Sequence, residues 1–192
     1  MRDGFEAPIP EHPRPRLRYP FDKGPAQGEA IDIAPGVKWL RMPLGGALAH
    51  INVWAIAEQG GWAIVDTGMG GEATMQAWRK AFEGPLKNLP VTRVLVTHMH
   101  PDHIGMAGWL TRKFDCRLWI TRLEFLMCRS LAADTGREAP HDGIAFYKAA
   151  GWDEAALETY RARFGGFGKG LHALPDSFRR ISDCEEIGRA HV

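Results

Sequence analysis

Three histidines and an aspartate fall within six residues of the stretch VLVTHMHPDHIG, Val94 to Gly105, directly after a β-branched apolar run. Neutral imidazole and carboxylate are donors that suit Zn²⁺, Fe²⁺ and Mn²⁺, and four of them this close surround metal only if the backbone turns sharply between them. The turn is written in the text. His98 and His100, at i and i+2 of extended chain, project to one side off the end of a strand over Val94 to Thr97. Pro101 suits the first position of a helix and turns the chain. Asp102 and His103 then leave that first helical turn in another direction, so the two pairs can face two neighbouring metal ions.

The elements around this cluster must hold it. Short strand-like runs come first, in IDIAPGVKWLRMPL, HINVWAIAE and GWAIVDTG, with the Gln59-Gly60-Gly61 turn joining the last two as a hairpin. After Gly68 the period becomes helical: Met75, Trp78 and Phe82 share a face, Glu72 lies in the first turn and Gly84-Pro85 ends the run. VTRVLVTH reads as a short strand buried on both faces. A helix over about Ile104 to Phe114 and the strand CRLWIT follow. This alternation predicts an α/β layer arrangement. Residues 122–170 are mostly helical, in LEFLMCRSLAAD, DGIAFYKAAG and DEAALETYRARF, and read as an insertion across one edge of the sheet. LPDSFRRISDCEEI reads as a loop entering a new strand.

Composition excludes several classes. The 192 residues, 45% apolar and 24% charged, bury a core without needing metal or disulfides for stability. A net charge of +1 offers no basic field for a nucleic acid or an acidic membrane surface. Three cysteines, Cys116, Cys128 and Cys184, show no C-x-x-C spacing and fit reduced thiols in a cytoplasm. No apolar run has the length of a membrane span, and no secretory signal follows Arg2 and Asp3. Six of the thirteen prolines lie in residues 1–28, which are expected to form an extended N-terminal arm.

THMHPDHIG resembles the H-x-H-x-D-H signature of the metallo-β-lactamase fold superfamily, whose members include glyoxalase II-like thioesterases, lactonases, ribonucleases and flavodiiron proteins. INVWAIAEQGGWAIVDTG is similar to that family's second and third strands with the D-T-G turn at Asp66, Thr67 and Gly68. The resemblance covers about Ile31 to Thr121. It implies an αββα sandwich, with residues 29–186 forming its N-terminal part. It implies two divalent metal ions, zinc first and iron or manganese as substitutes, with His98 and His100 as ligands of one ion and Asp102 and His103 of the other. Asp66 would hold the loop and orient a ligand. Two ions sharing a hydroxide make a nucleophile at neutral pH, so no serine or cysteine is required. No G-x-S-x-G elbow is present either. Asp102 is the carboxylate placed to orient the hydroxide and handle its proton. The implied reaction is hydrolysis of an ester, thioester, lactone or amide in a small molecule. Phe125, Met127, Phe146, Tyr147 and Trp152 are candidate walls of its pocket.

The family's later ligands, a histidine in a G-H-S/T-x-G-H-like stretch, a bridging aspartate and a final histidine, are not written in this chain. The histidines remaining downstream are His141, His172 and His191; neither His141 nor His172 follows an apolar strand, and His50 lies beside Asn52 on an early strand. The expectation is an incomplete sandwich, its first half plus the helical insertion, cut on the C-terminal side. Residues 187–192, IGRAHV, back-translate to a common sequencing-adaptor read and are set aside as a candidate non-native tail. Two alternatives stay open: an iron-dependent redox member of the same fold, and an inactive truncated fragment.

Overall fold

Pro35 and Gly36 break the first apolar run into two strands, because proline lacks the ladder donor and Gly36 takes a φ of 70° that L side chains rarely adopt. The computed structural model describes residues 18–185. The arm expected over 1–28 is described only from 18, where residues 18–28 form neither helix nor strand. Residues 1–17 and 186–192, the tail set aside above included, lie outside the described residues.

The strands are β1 (Ala30–Ala34), β2 (Val37–Pro43), β3 (His50–Glu58), β4 (Gly61–Val65), β5 (Val91–Leu95), β6 (Arg117–Ile120) and β7 (Arg179–Arg180). They form one sheet in sequence order, antiparallel through β4 and parallel from β4 to β7. The helices are α1 (Glu72–Glu83), α2 (Pro101–Ile104), α3 (Ala107–Phe114), α4 (Arg122–Ala133), α5 (His141–Ala149) and α6 (Glu154–Arg163), and a 3-10 turn spans Phe167–Gly170. One helix was expected over Ile104 to Phe114, but two short ones occur. The apolar period runs through Ile104, Ala107 and Leu110, yet the backbone resets at Gly105 and Met106.

Strand alternation sorts the sheet into two faces. Leu40, Val53, Ile64, Val94 and Leu118 lie on the face covered by Trp78, Ala81, Ile104, Met106 and Leu110, all buried. Burial of each large apolar side chain there contributes on the order of 2 kcal/mol. Within residues 122–170, α4 sends Phe125 and Cys128 into this same core. By contrast α5 buries no side chain and α6 buries Leu157 alone.

On the other face the register aligns Trp39, Trp54, Val65, Leu95, Trp119 and Arg179 in one row across six strands. Trp39 and Trp54 stack with centroids 6.4 Å apart, and the Arg41 and Arg93 guanidiniums lie 4.7 Å from the rings of Trp39 and Trp119. Arg93 also pairs with Glu58. A hollow of about 430 Å³ opens on this face, lined by Ile56, Val65, Leu95, Thr97 and Ile181 among others.

Burial pushes the thiols of Cys116 and Cys128 up to about 11, so both behave as small apolar groups. Cys184 is exposed. No helix among the described residues is long and apolar enough to cross a membrane.

Candidate metal centre

The D-T-G turn at the end of β4 anchors everything that follows. Asp66 takes a φ of 61°, a left-handed conformation that aspartate tolerates better than most residues. Its N–H continues the ladder to the Leu95 carbonyl at 2.9 Å, while its carboxylate turns toward the end of β5. There it accepts from the Thr97 N–H at 2.8 Å, from the Thr97 hydroxyl at 2.8 Å and from His103 Nδ1 at 2.8 Å. Thr67 adds two bonds to the His103 carbonyl, from its N–H and its hydroxyl, both at 2.7 Å. The Met106 N–H donates to the Thr67 hydroxyl at 3.0 Å, and the Trp78 indole donates to the Thr67 carbonyl at 2.8 Å. Strand end, helix α2 and helix α1 are thereby tied to one turn.

The loop between β5 and α2 is held from a second side. Glu124 of α4 accepts from the Met99 N–H at 2.7 Å, which fixes the backbone midway between His98 and His100. Nothing in the motif announces this contact. Glu124 does stand three residues after the helix-capping Thr121, in a T-x-x-E box legible as a helix start.

Helix α2 ends where a strap of downstream chain crosses it. Gly70 donates to the Gly170 carbonyl and His172 donates to the Gly105 carbonyl, each at 2.8 Å. A Cβ on Gly105 would stand 2.3 Å from the Gly70 nitrogen and 2.4 Å from the Pro101 carbonyl oxygen, so backbone would have to move. Gly105→Ala is expected to cost about 2–3 kcal/mol by overpacking, read as a lower denaturation midpoint at unchanged slope. A variant as stable as the parent would show that this approach is not tight.

The motif side chains converge as two pairs. His98 Nε2 lies 3.1 Å from His100 Nδ1, and His103 Nε2 lies 3.4 Å from Asp102 Oδ2. The rings of His98 and His103 are 4.0 Å apart and those of His98 and His100 are 4.6 Å apart. Among the described residues no group of three or more His, Cys, Asp or Glu side chains is closed around a single point. Because a carboxylate only accepts, the Asp66 bond puts a proton on His103 Nδ1, so in the neutral ring the lone pair lies on Nε2. That atom faces the Asp102 carboxylate at 3.4 Å, a gap that either a proton or a metal cation can bridge. Burial, followed by neighbouring His103 and His100, pulls the His98 pKa below its ordinary value against the opposing pull of Asp66 and Asp102. The shift favours the neutral imidazole, the form a metal ligand needs.

The other singled-out residues stand apart. His141 starts α5 in solvent, His172 lines a groove with Arg129 and Asp176, and His50 opens β3 opposite Pro43. His191 lies outside the described residues. Of the aromatic wall candidates, Phe125 is core and stacks on Phe178 at 4.1 Å, while Tyr147 stacks on Trp152 at 4.2 Å. Met127, Phe146 and Trp152 are exposed.

The family model described as metallo-beta-lactamase superfamily matches residues 47–177, from β3 through the strap. The chain belongs to the metallo-beta-lactamase superfamily. Metallo-beta-lactamase superfamily members are mostly metal-dependent hydrolases and typically bind divalent metals. Among solved structures, a beta-lactamase domain protein from Burkholderia ambifaria is similar at 37% identity and a TM-score of 0.76, over 90% of this chain and 50% of that one. A metallo-beta-lactamase family protein from Thermus thermophilus shares the fold at 22% identity and a TM-score of 0.56, over 83% of this chain and 50% of that one. The chain spans about half the length of both solved structures. No curated protein matches.

Proposed function

We propose that the protein is a binuclear metal-dependent hydrolase of a small-molecule ester, thioester, lactone or amide, with zinc as its first-choice metal. The observation that carries this reading is the pairing of donors. Two ligands of one tetrahedral zinc, at bond lengths of about 2.0–2.1 Å, stand roughly 3.3–3.4 Å apart. The 3.1 Å and 3.4 Å spans of the two pairs fit that geometry with small adjustment. His98 Nε2 and His100 Nδ1 would hold one ion, and Asp102 Oδ2 and His103 Nε2 the other. The bond from His103 Nδ1 to Asp66 would supply the carboxylate–histidine support common to such sites.

When bound, the ions lower the pKa of a water to about 7 and polarise the attacked carbonyl. The chain's own groups do the rest. Asp66 fixes the His103 ring by accepting from Nδ1, so Nε2 cannot turn away. Glu124 and the D-T-G turn hold the loop that carries the donors, so they need little reorganisation. Asp102 has two carboxylate oxygens; Oδ2 would hold the ion, which would leave Oδ1 to accept a proton from water.

Metal analysis and activity of the complete gene product test the reading together. About two zinc ions per chain and hydrolysis of a model thioester or lactone, removed by chelator and restored by zinc, are expected. Iron with redox turnover and no hydrolysis would favour an oxidoreductase of the same fold. Hydrolysis that survives complete chelation would defeat the proposal.

A further inference from the structure

We propose that the Thr97 hydroxyl is a positioning residue that passes the acceptor character of Asp66 on to His98 and so fixes which nitrogen of His98 is free. Thr97 Oγ1 lies 2.8 Å from Asp66 Oδ2, 3.1 Å from Asp66 Oδ1 and 3.0 Å from His98 Nδ1. The hydroxyl has one proton and two lone pairs. Two carboxylate oxygens on one side can only accept, so the proton points to Asp66 and a lone pair faces the imidazole. His98 must therefore carry its own proton on Nδ1 and donate it to Thr97. The lone pair of His98 is left on Nε2, the atom that faces His100 Nδ1 at 3.1 Å.

Without the relay the opposite tautomer is favoured. A proton on Nε2 would donate to His100 Nδ1, and the two imidazoles would satisfy one another instead of an ion. One buried carboxylate thus sets two histidines, His103 by direct contact and His98 through Thr97. Threonine before the first histidine is then chosen for its hydroxyl, since its backbone N–H makes a separate 2.8 Å bond to Asp66 Oδ1 that any residue but proline could make. The tautomer claim stands without metal; its effect on affinity rests on the metal-centre reading above.

The test compares Thr97→Val, which removes the hydroxyl at nearly constant shape, with Thr97→Ser, which keeps it. Two-bond proton–nitrogen correlation spectra of the metal-free, histidine-labelled full chain report the tautomer directly. The parent and Thr97→Ser should show His98 protonated on Nδ1, and Thr97→Val should shift it toward protonation on Nε2, while His103 remains protonated on Nδ1 in all three. Zinc affinity should fall about 10- to 100-fold in Thr97→Val and return to within about threefold of the parent in Thr97→Ser. A parent His98 protonated on Nε2, or a Thr97→Val protein whose His98 tautomer and zinc affinity are both unchanged, overturns the relay. Tautomers that follow the expected pattern in a chain that binds no zinc would support the relay and defeat the metal-centre reading instead.

Discussion

His98→Ala and Asp102→Ala proteins are expected to stay folded, to take up far less zinc and to lose at least about a hundredfold in kcat/KM on a model thioester or lactone, equivalent to roughly 2.7 kcal/mol of transition-state stabilisation. The fold survives because neither side chain belongs to the core, which lies on the helix-covered face of the sheet. The two losses have different origins. His98 supplies Nε2 to one pair of donors, so its removal leaves a single imidazole that cannot retain an ion well. Asp102 supplies a donor to the other pair and, in the proposed reaction, the atom that takes the proton. Elemental analysis beside kinetics separates these roles. Near-parental activity in Asp102→Ala would remove that carboxylate from the mechanism.

Asp66→Ala is expected to lower stability by about 3 kcal/mol or more, an unusual loss for a residue at the end of a strand. Asp66 is 5% exposed and accepts from three donors, the Thr97 N–H, the Thr97 hydroxyl and His103 Nδ1. An orphaned buried donor costs about 1–3 kcal/mol. Alanine at a φ of 61° adds roughly 1 kcal/mol that aspartate largely avoids. Asp66→Asn, which keeps one acceptor oxygen and tolerates the backbone, should recover part of this. Urea denaturation of the metal-free proteins measures the effect without interference from bound ions. A loss below about 1 kcal/mol would show that water replaces the carboxylate and that the turn does not anchor the site.

The convergence of the motif side chains was legible because residue types and backbone direction are local. His98, His100, Asp102 and His103 needed only a strand end and Pro101 to be aimed, and both are written within ten residues. Asp66 lies in the turn that ends the neighbouring strand, and only the family resemblance of that D-T-G turn brought it to the site. Thr97 and Glu124 were missed for a different reason. Each acts through hydrogen bonds to particular atoms of its neighbours, and such bonds have no periodicity to read. The break at Gly105 was hidden because Ile104, Ala107 and Leu110 keep the apolar spacing of one continuous helix across it. In the helical region, periodicity identified helices but could not tell the core-facing Phe125 from the exposed Phe146. That distinction depends on which helix meets the sheet.

The strap also bears on when the site can come into being. Gly70 is bonded to Gly170, and Gly105 to His172, while a Cβ on Gly108 would lie 1.9 Å from the Ala173 carbonyl oxygen. These contacts join chain segments roughly 65 to 100 residues apart, and closing such loops carries an entropic cost that local hairpins escape. During synthesis the antiparallel strands and α1 can pair while the histidine loop still lacks its far support. The far side of helix α2 therefore gains its support only after residue 173 has joined the folding chain. On the proposed metal-centre reading, a nascent chain would pass through an interval in which the sheet exists and the centre does not.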